Sequence, residues 1–559
     1  MTRRPLPGAA GLLGVALLLA LAPSPRAQES PMLAAMRDEM ARSMADLKMK
    51  GEPAPYYIEY EIDDIFSMRA IARFGGIVDD VADHSRTLRV QVRVGDYAFD
   101  SSRFVTQDRG AAGAVASATI PLDDNYDAIR REIWLASDTA YKRAVSLFAK
   151  KKAAFQNRAA TDQIPDFSRE TPVQTVLPFA VPVPTDRKWV DRAKQLSAVF
   201  VPGPDLDSSE VWISEAHGNG FYLNSEGFKV VSPVSTAYLR ISADARADDG
   251  MTVPDVWTAV ENRLEDLPPM PDLLLRAADV ASRVKARRNA PIGDEFTGPL
   301  LIEGQASGEL LRQTLAPLML ARRAPDAENP RFAQNQGQQT PFLTRIGLRV
   351  LSDSFSVSDT PSLKEFDGHP VAGAYVVDDE AVPARDVALV EKGRLLTLLT
   401  SRTPQKNLPR SNGHGRSGSV QAGVLQIRST QAIPAATLKS KYLELLKAQD
   451  KQYGYIIRRV AAPGDAAGGG PGGPVIFDAV KVGLDGREEP VRGLRFGAVP
   501  STAFRDILEA SEERVLHNFR IDAGTAGSII APNLLFEELE LQRTREIVQK
   551  PPIVPPPVR

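Results

Sequence analysis

Apolar residues in the first part of the chain recur with a helical period. Met32, Met36, Met40, Ser43, Met44 and Leu47 are spaced three and four apart, which predicts a helix over 31–50 that ends at Gly51 and Pro53. Its Met stripe reads as a packing face. The period then changes to two. Ile58, Tyr60 and Ile62 alternate with Tyr57, Glu59 and Glu61, and Leu88, Val90, Val92 and Val94 alternate with Arg89, Gln91 and Arg93. That pattern predicts strands with one wet face in an antiparallel sheet. Helical spacing returns over 123–158, with Ile129, Ile133, Trp134 and Leu135 in a first helix. Ser137 reads as the N-cap of a second helix carrying Tyr141, Val145 and Phe148, and Lys150–Lys152 as its solvated end.

Further strands are predicted at Ala198–Val201, Glu210–Ser214 and Tyr238–Ala243, with a turn at Asn224–Gly227. Leu274, Ala277, Ala281 and Val284 mark a helix over 270–289. From Pro291 short β-rich runs dominate: Pro299–Ile302, Gly373–Val377, Asp386–Glu391, Arg394–Thr397, Val475–Val482 and Arg495–Val499. Gly-containing turns such as Glu391-Lys392-Gly393 and Leu484-Asp485-Gly486 separate them, and two helices, Ser307–Arg322 and Ala435–Asp450, interrupt. Gly464–Pro474 reads as a mobile loop and 549–559 as a polyproline-like, disordered tail. The fold class is α+β: an N-terminal helix with an antiparallel sheet (28–110), a middle α/β segment (111–290) and a large β-rich C-terminal domain (291–548).

Composition narrows the function classes. The 559 residues carry 68 Lys+Arg and 70 Asp+Glu, a net charge of −2 that argues against a nucleic-acid binder. There is no Cys, which excludes disulfides, thiolate zinc sites and Cys nucleophiles. Arg3 and Arg4 precede an apolar run from Gly8 to Ala22, the pattern of a secretory signal over 1–27 that is cleaved after Ala27. The expected location is periplasmic or secreted, with no stable membrane anchor.

Candidate chemistry is sparse. His84, His217, His369, His414 and His517 form no H-x-H, H-x-x-x-H or H-E-x-x-H pair, and no G-x-S-x-G elbow is present. Asp63-Asp64, Asp79-Asp80, Asp123-Asp124 and Asp378-Asp379-Glu380 read as solvated carboxylates. In Pro409–Gly418 (PRSNGHGRSG) a His and an Arg sit between glycines, suited either to lining a cleft or to a plain surface loop.

The C-terminal half resembles the TldD/PmbA family of metallopeptidases. The resemblance runs in order through Thr297–Gly304 (TGPLLIEG), Val377–Glu380, Leu389–Gly393 (LVEKG), Asn412–Arg416 (NGHGR), Gly486–Gly493 (GREEPVRG) and Asp522–Ser528 (DAGTAGS). Active members carry H-E-x-x-x-H at a helix start and a Cys ligand in a Gly-Thr-Cys-Gly turn, so zinc is the family's expected cofactor. Here the ligand positions read Ile302, Ser307 and Ala526, and only the base position, Glu303, is retained. The resemblance therefore implies no zinc and no other cofactor, with Glu303 as a relic base or a helix-terminal carboxylate and Ser307 as a helix N-cap. It places Asn412, Gly413, His414, Gly415 and Arg416 in the cleft of Glu303. Restoring His at 302 and 307 and Cys at 526 is expected to recreate a zinc site.

The family also contains a metal-free partner subunit that forms a heterodimer with the active one. The expected partners are thus an extended or unfolded peptide, bound by sheet-edge addition, and a second subunit, as a homodimer or with a TldD-like chain. Two further readings stay open: an active metallopeptidase using His369 or His414 with a carboxylate, and a structural envelope protein.

Overall fold

The Met stripe packs as expected in a computed structural model that describes residues 30–106, 114–156, 164–179, 186–201, 206–329, 339–465 and 473–544. Helix α1 (Pro31–Asp46) buries Met32, Met36 and Met40 against Ile58, Tyr60 and Ile62. Those three lie on β1 (Pro55–Arg73), which forms a long hairpin with β2 (Gly76–Val94), Ile62 opposite Leu88 and Tyr60 opposite Val90. Phe74 and Gly75 turn the hairpin with φ of 46° and 79°, the two positive values of a type I′ turn. Next come β3 (Val115–Thr119), α2 (Tyr126–Phe155), β4 (Gln174–Val176), α3 (Lys188–Ala198), β5 (Ser208–Asn224), β6 (Lys229–Arg246), β7 (Thr252–Glu261) and α4 (Met270–Arg288). The sheet order is β3-β2-β1-β5-β6, with β4 parallel to the start of β6 and β7 antiparallel along the rest of it. Segments 28–110 and 111–290 thus contribute strands to one sheet.

Helices cover one face of this sheet: α1 and α2 at one end, α3 and α4 at the other. The opposite face is where the pattern misled. Tyr57, Glu59 and Arg93 on it are buried: Phe167 packs on Tyr57 and Arg93, Tyr222 bonds Glu59, and Arg402 of the C-terminal half lies over Phe167. Alternation shows that two faces differ, not what covers the polar one. Ser137 does not start a second helix: α2 is continuous, and the Ser137 hydroxyl bonds the Ile133 carbonyl (2.7 Å) and the Tyr60 hydroxyl (3.0 Å). The cap is Asn125, which accepts from the Ala128 amide. Residues 198–201 are no strand but the end of α3 and a turn that buries Phe200.

The C-terminal half is built on an eleven-stranded sheet. Its elements are β8 (Phe296–Ile302), α5 (Gln305–Thr314), β9 (Phe355–Asp359), β10 (Val387–Glu391), β11 (Arg394–Leu395), β12 (Val424–Ser429) and α6 (Ala435–Ala448). They continue with β13 (Tyr453–Val460), β14 (Ile476–Gly483), β15 (Glu488–Val491), β16 (Leu494–Phe496), β17 (Ile507–Arg520) and β18 (Ala526–Arg543). The order is β11-β10-β9-β12-β18-β8-β13-β14-β15, with β16 and β17 also on β18. The predicted helix over 307–322 is instead α5 followed by a 3₁₀ turn, Ala316–Met319, where Pro317 supplies no N–H to continue an α-helix. Residues 373–377 make no strand: Gly373 packs so tightly on Gly423 that a Cβ would lie 2.1 Å from its carbonyl. The signal segment, the tail and residues 466–472 of the Gly-rich loop lie outside the described residues.

Candidate functional site

Glu303 follows β8 directly, and its carboxylate accepts from Arg458 Nε at 3.2 Å. Arg458 is shared with Glu488, so Glu303 sits in a partly exposed ion-pair cluster. Ile302 beside it has no accessible surface and belongs to the apolar core. Ser307 is equally buried, but it is no N-cap. Gly304 precedes α5, and the Ser307 hydroxyl donates to the Pro532 carbonyl at 2.6 Å. Ala526 opens β18 opposite Arg520 and packs with Val260 and Ala372. Six residues of extended strand separate it from Pro532, about 20 Å at the usual rise. Zinc ligands must converge within about 2.0–2.3 Å of one ion. The positions 302, 307 and 526 do not converge, and neither Ile302 nor Ala526 offers a donor. The residues present do not fit the family's zinc.

The Asn412–Arg416 loop is internal rather than a surface tip. Asn412 accepts from the Thr400 amide (2.8 Å) and donates to the Leu398 carbonyl (3.0 Å). Gly413 has φ of 83°, and a Cβ there would lie 2.2 Å from the Pro383 carbonyl. His414 is fully buried between Asn412 and Asp359, with Nε2 3.3 Å from the carboxylate. The Gly415 amide donates to Asp378 at 2.8 Å, and the Arg416 guanidinium lies 4.2 Å from the centre of the Tyr375 ring. These contacts, all within the C-terminal half, hold the loop in place, and none of them involves Glu303.

Of Asp378-Asp379-Glu380, Asp378 is buried rather than solvated, Glu380 is partly buried and Asp379 is exposed. Asp378 accepts from the amides of Glu380, Val382 and Gly415. Glu61 and Asp63 face this segment from β1. Burial pushes Glu61 up to about 7 and Asp63 up to about 6, against the pull of Arg89 and with the Asp379 charge adding to the rise.

A cavity of about 1060 Å³ lies elsewhere, between β7 and α4 on one side and α5 and β17 on the other. Neither Glu303 nor the 412–416 loop lines it, whereas His369 does. Two strand edges border it. Among the described residues β7 pairs with β6 alone, and β17 with β18 and, at Ser511, with Ile433. On β7 the outward carbonyls of Pro254, Val256 and Val260 accept from Arg287, Arg459 and Asn518 side chains. A strand alternates its polar groups, so the N–H and C=O of Thr258 share that outward direction. Thr258 lines the cavity.

Buried charge surrounds these edges. His517 Nε2 lies 2.7 Å from Glu309, which also accepts from Arg312 and Gln313. Burial raises the Glu309 carboxyl, but the bonds from His517 and Arg312 outweigh it and hold it below the usual carboxylate range. Glu261 has no such support. Its Oε2 is buried without a partner, and burial plus the Asp266 charge pushes the group up to about 7. The sequence reading missed Thr258, Glu261, Glu309 and His517. The one available signal was Pro254 inside a strand-like run, since Pro in a strand marks an edge.

Residues 297–543 match the family model described as the PmbA/TldA metallopeptidase C-terminal domain. No match is found among the curated proteins. Solved structures share the fold. A proposed DNA gyrase modulator from Thermotoga maritima aligns with a TM-score of 0.58 at 16% identity, covering 91% of this chain and 100% of its own. TldE from Thermococcus kodakarensis gives 0.57 at 14%, covering 91% and 99%. A proposed DNA gyrase modulator from Bacteroides thetaiotaomicron gives 0.55 at 12%, covering 92% and 98%.

Proposed function

The C-terminal half of this chain belongs to the PmbA/TldD metallopeptidase family, and from that premise we propose that the protein is an exported, zinc-free member that binds extended peptides in the cavity between its halves. The observation that carries the reading is the Thr258 edge. An extended guest needs main-chain donors and acceptors that no neighbouring strand uses, and β7 turns such a pair toward a cavity large enough for several residues. Main-chain bonding is tolerant of sequence, which suits unfolded substrates. In this reading Ile302, Ser307 and Ala526 leave no zinc centre, and any cleavage is supplied by a TldD-like subunit that this chain accompanies. The basic start and the Gly8–Ala22 run support export.

Thr258→Pro tests the reading. Pro254 already occupies the same outward register of β7, so the substitution leaves the sheet bonds to β6 intact. An extended heptapeptide should protect the amides of Val256, Thr258 and Val260 from hydrogen exchange. Its affinity should fall at least about tenfold in the variant, the loss of one or two main-chain bonds. Unchanged affinity would sink the proposal. Metal analysis of the purified protein should find no stoichiometric zinc; one zinc per chain would contradict the zinc-free reading.

A further inference from the structure

We propose that the cavity selects a basic side chain in the bound peptide, received in the lobe between β7 and α4 with Glu261 as its ion partner and Trp257 as its wall. The inference rests on the peptide-binding reading above. Side chains alternate along a strand, so Trp257, Ala259 and Glu261 share one face of β7. Trp257 and Ala259 pack against the core of Leu239 and Ile241, which places that face toward α4. All three line the cavity, together with Pro268 and Arg276.

The lobe is complete except for a cation. Glu261 Oε2 is buried and unpartnered. Of the nearby cations, Arg263 Nε donates to Glu215 at 2.7 Å, and Arg276, half exposed, lies 3.9 Å from Asp279. The neighbouring Asp266 carries the same sign as Glu261 and accepts from the Arg263 amide. A buried polar group without a partner is costly, and the cost is relieved by an occupant that brings a donor.

The shape fits a long side chain. A guest strand on the β7 edge bonds through both polar groups of Thr258 and through the N–H groups of Val256 and Val260, whose carbonyls already accept from Arg459 and Asn518. The guest residue opposite Ala259 then occupies a non-hydrogen-bonded position, where side chains approach most closely. Ala259 is small and leaves room there, with Trp257 and Glu261 each two residues, about 7 Å, away along the strand. A Lys or Arg stem can lie on the indole while its charged end reaches the carboxylate. An acidic side chain meets a like charge, and an aliphatic one leaves Oε2 unpaired.

Calorimetric titration of the intact protein with three acetylated and amidated peptides, Thr-Val-Thr-Xaa-Thr-Val-Thr, decides this, with Xaa as lysine, norleucine or glutamate. The lysine peptide should bind about tenfold more tightly than the norleucine peptide, with glutamate weakest. In Glu261→Gln the lysine and norleucine affinities should converge to within about twofold. Trp257→Leu should also reduce the lysine preference, a second route to the answer should Glu261→Gln fail to fold. Equal lysine and norleucine affinities in the wild type, or a lysine preference that survives both substitutions, would overturn the inference and leave peptide binding standing. No binding of any of the three peptides would overturn both.

Discussion

Ile302 stands at the position that the resemblance assigns to a zinc histidine, yet its surroundings are those of a core residue. Leu300, Leu301, Leu310 and Ile456 are buried in the same cluster. Ile302→His should therefore destabilise the protein by about 2–5 kcal/mol, from the lost apolar contacts and the unpaired ring nitrogens. The triple change Ile302→His, Ser307→His and Ala526→Cys, which the family pattern invites, should gain no zinc-dependent thermal shift, because position 526 lies a strand's length from the pair. A clear rise in Tm on adding zinc to the triple variant would show that the two regions do converge. Ser307 and Ser137 teach a related point. A serine near a helical run reads as a cap, but its hydroxyl can equally bond a carbonyl in the interior, and only the fold says which.

At the scale of elements, what was legible was local. The Met stripe, the β1–β2 alternation and the Lys392-Gly393 turn, with φ of 46° and 72°, each follow from a few adjacent residues. The candidate site was not legible, because Thr258, Glu309 and His517 lie on β7, α5 and β17 and meet only through topology. The 409–418 loop shows the opposite error. Its glycines, His and Arg have the composition of a cleft, but the structure uses them in contacts within the C-terminal half. Gly413→Ala tests that use. With φ of 83° and the Pro383 carbonyl in the way, the alanine variant should lose at least about 2 kcal/mol in chemical denaturation. A loss below about 0.5 kcal/mol, the usual surface value, would mean that the loop is free to move.

Across the whole molecule, the joint between the halves responds to pH. Burial holds Glu61 at about 7 and Asp63 at about 6, above the ordinary 4.5 and 3.8. The folded state thus prefers their protonated forms. The resulting stabilisation is complete below the ordinary values and is lost as pH rises through 6 to 7. Around them stand Glu59 on β1, Arg89 on β2 and Asp379 from the other half. The variant Glu61→Gln/Asp63→Asn should remove this dependence, so that its Tm rises relative to wild type between pH 5 and pH 8. A constant difference across that range would show that the two groups keep ordinary values in the folded protein.

That joint also bears on how the chain is made. Synthesis delivers the N-terminal half first, and its sheet, with helices on one face, has a closed core of its own. The face that waits for the later half carries Tyr57, Glu59, Glu61, Asp63, Arg89 and Arg93 beside apolar Tyr222, Val230, Val256 and Val260. Half-made chains aggregate through exposed apolar surface and unpaired edges. Charge on the waiting face interrupts its apolar patches, so the residues that join the finished protein also lower the sticking tendency of the unfinished one.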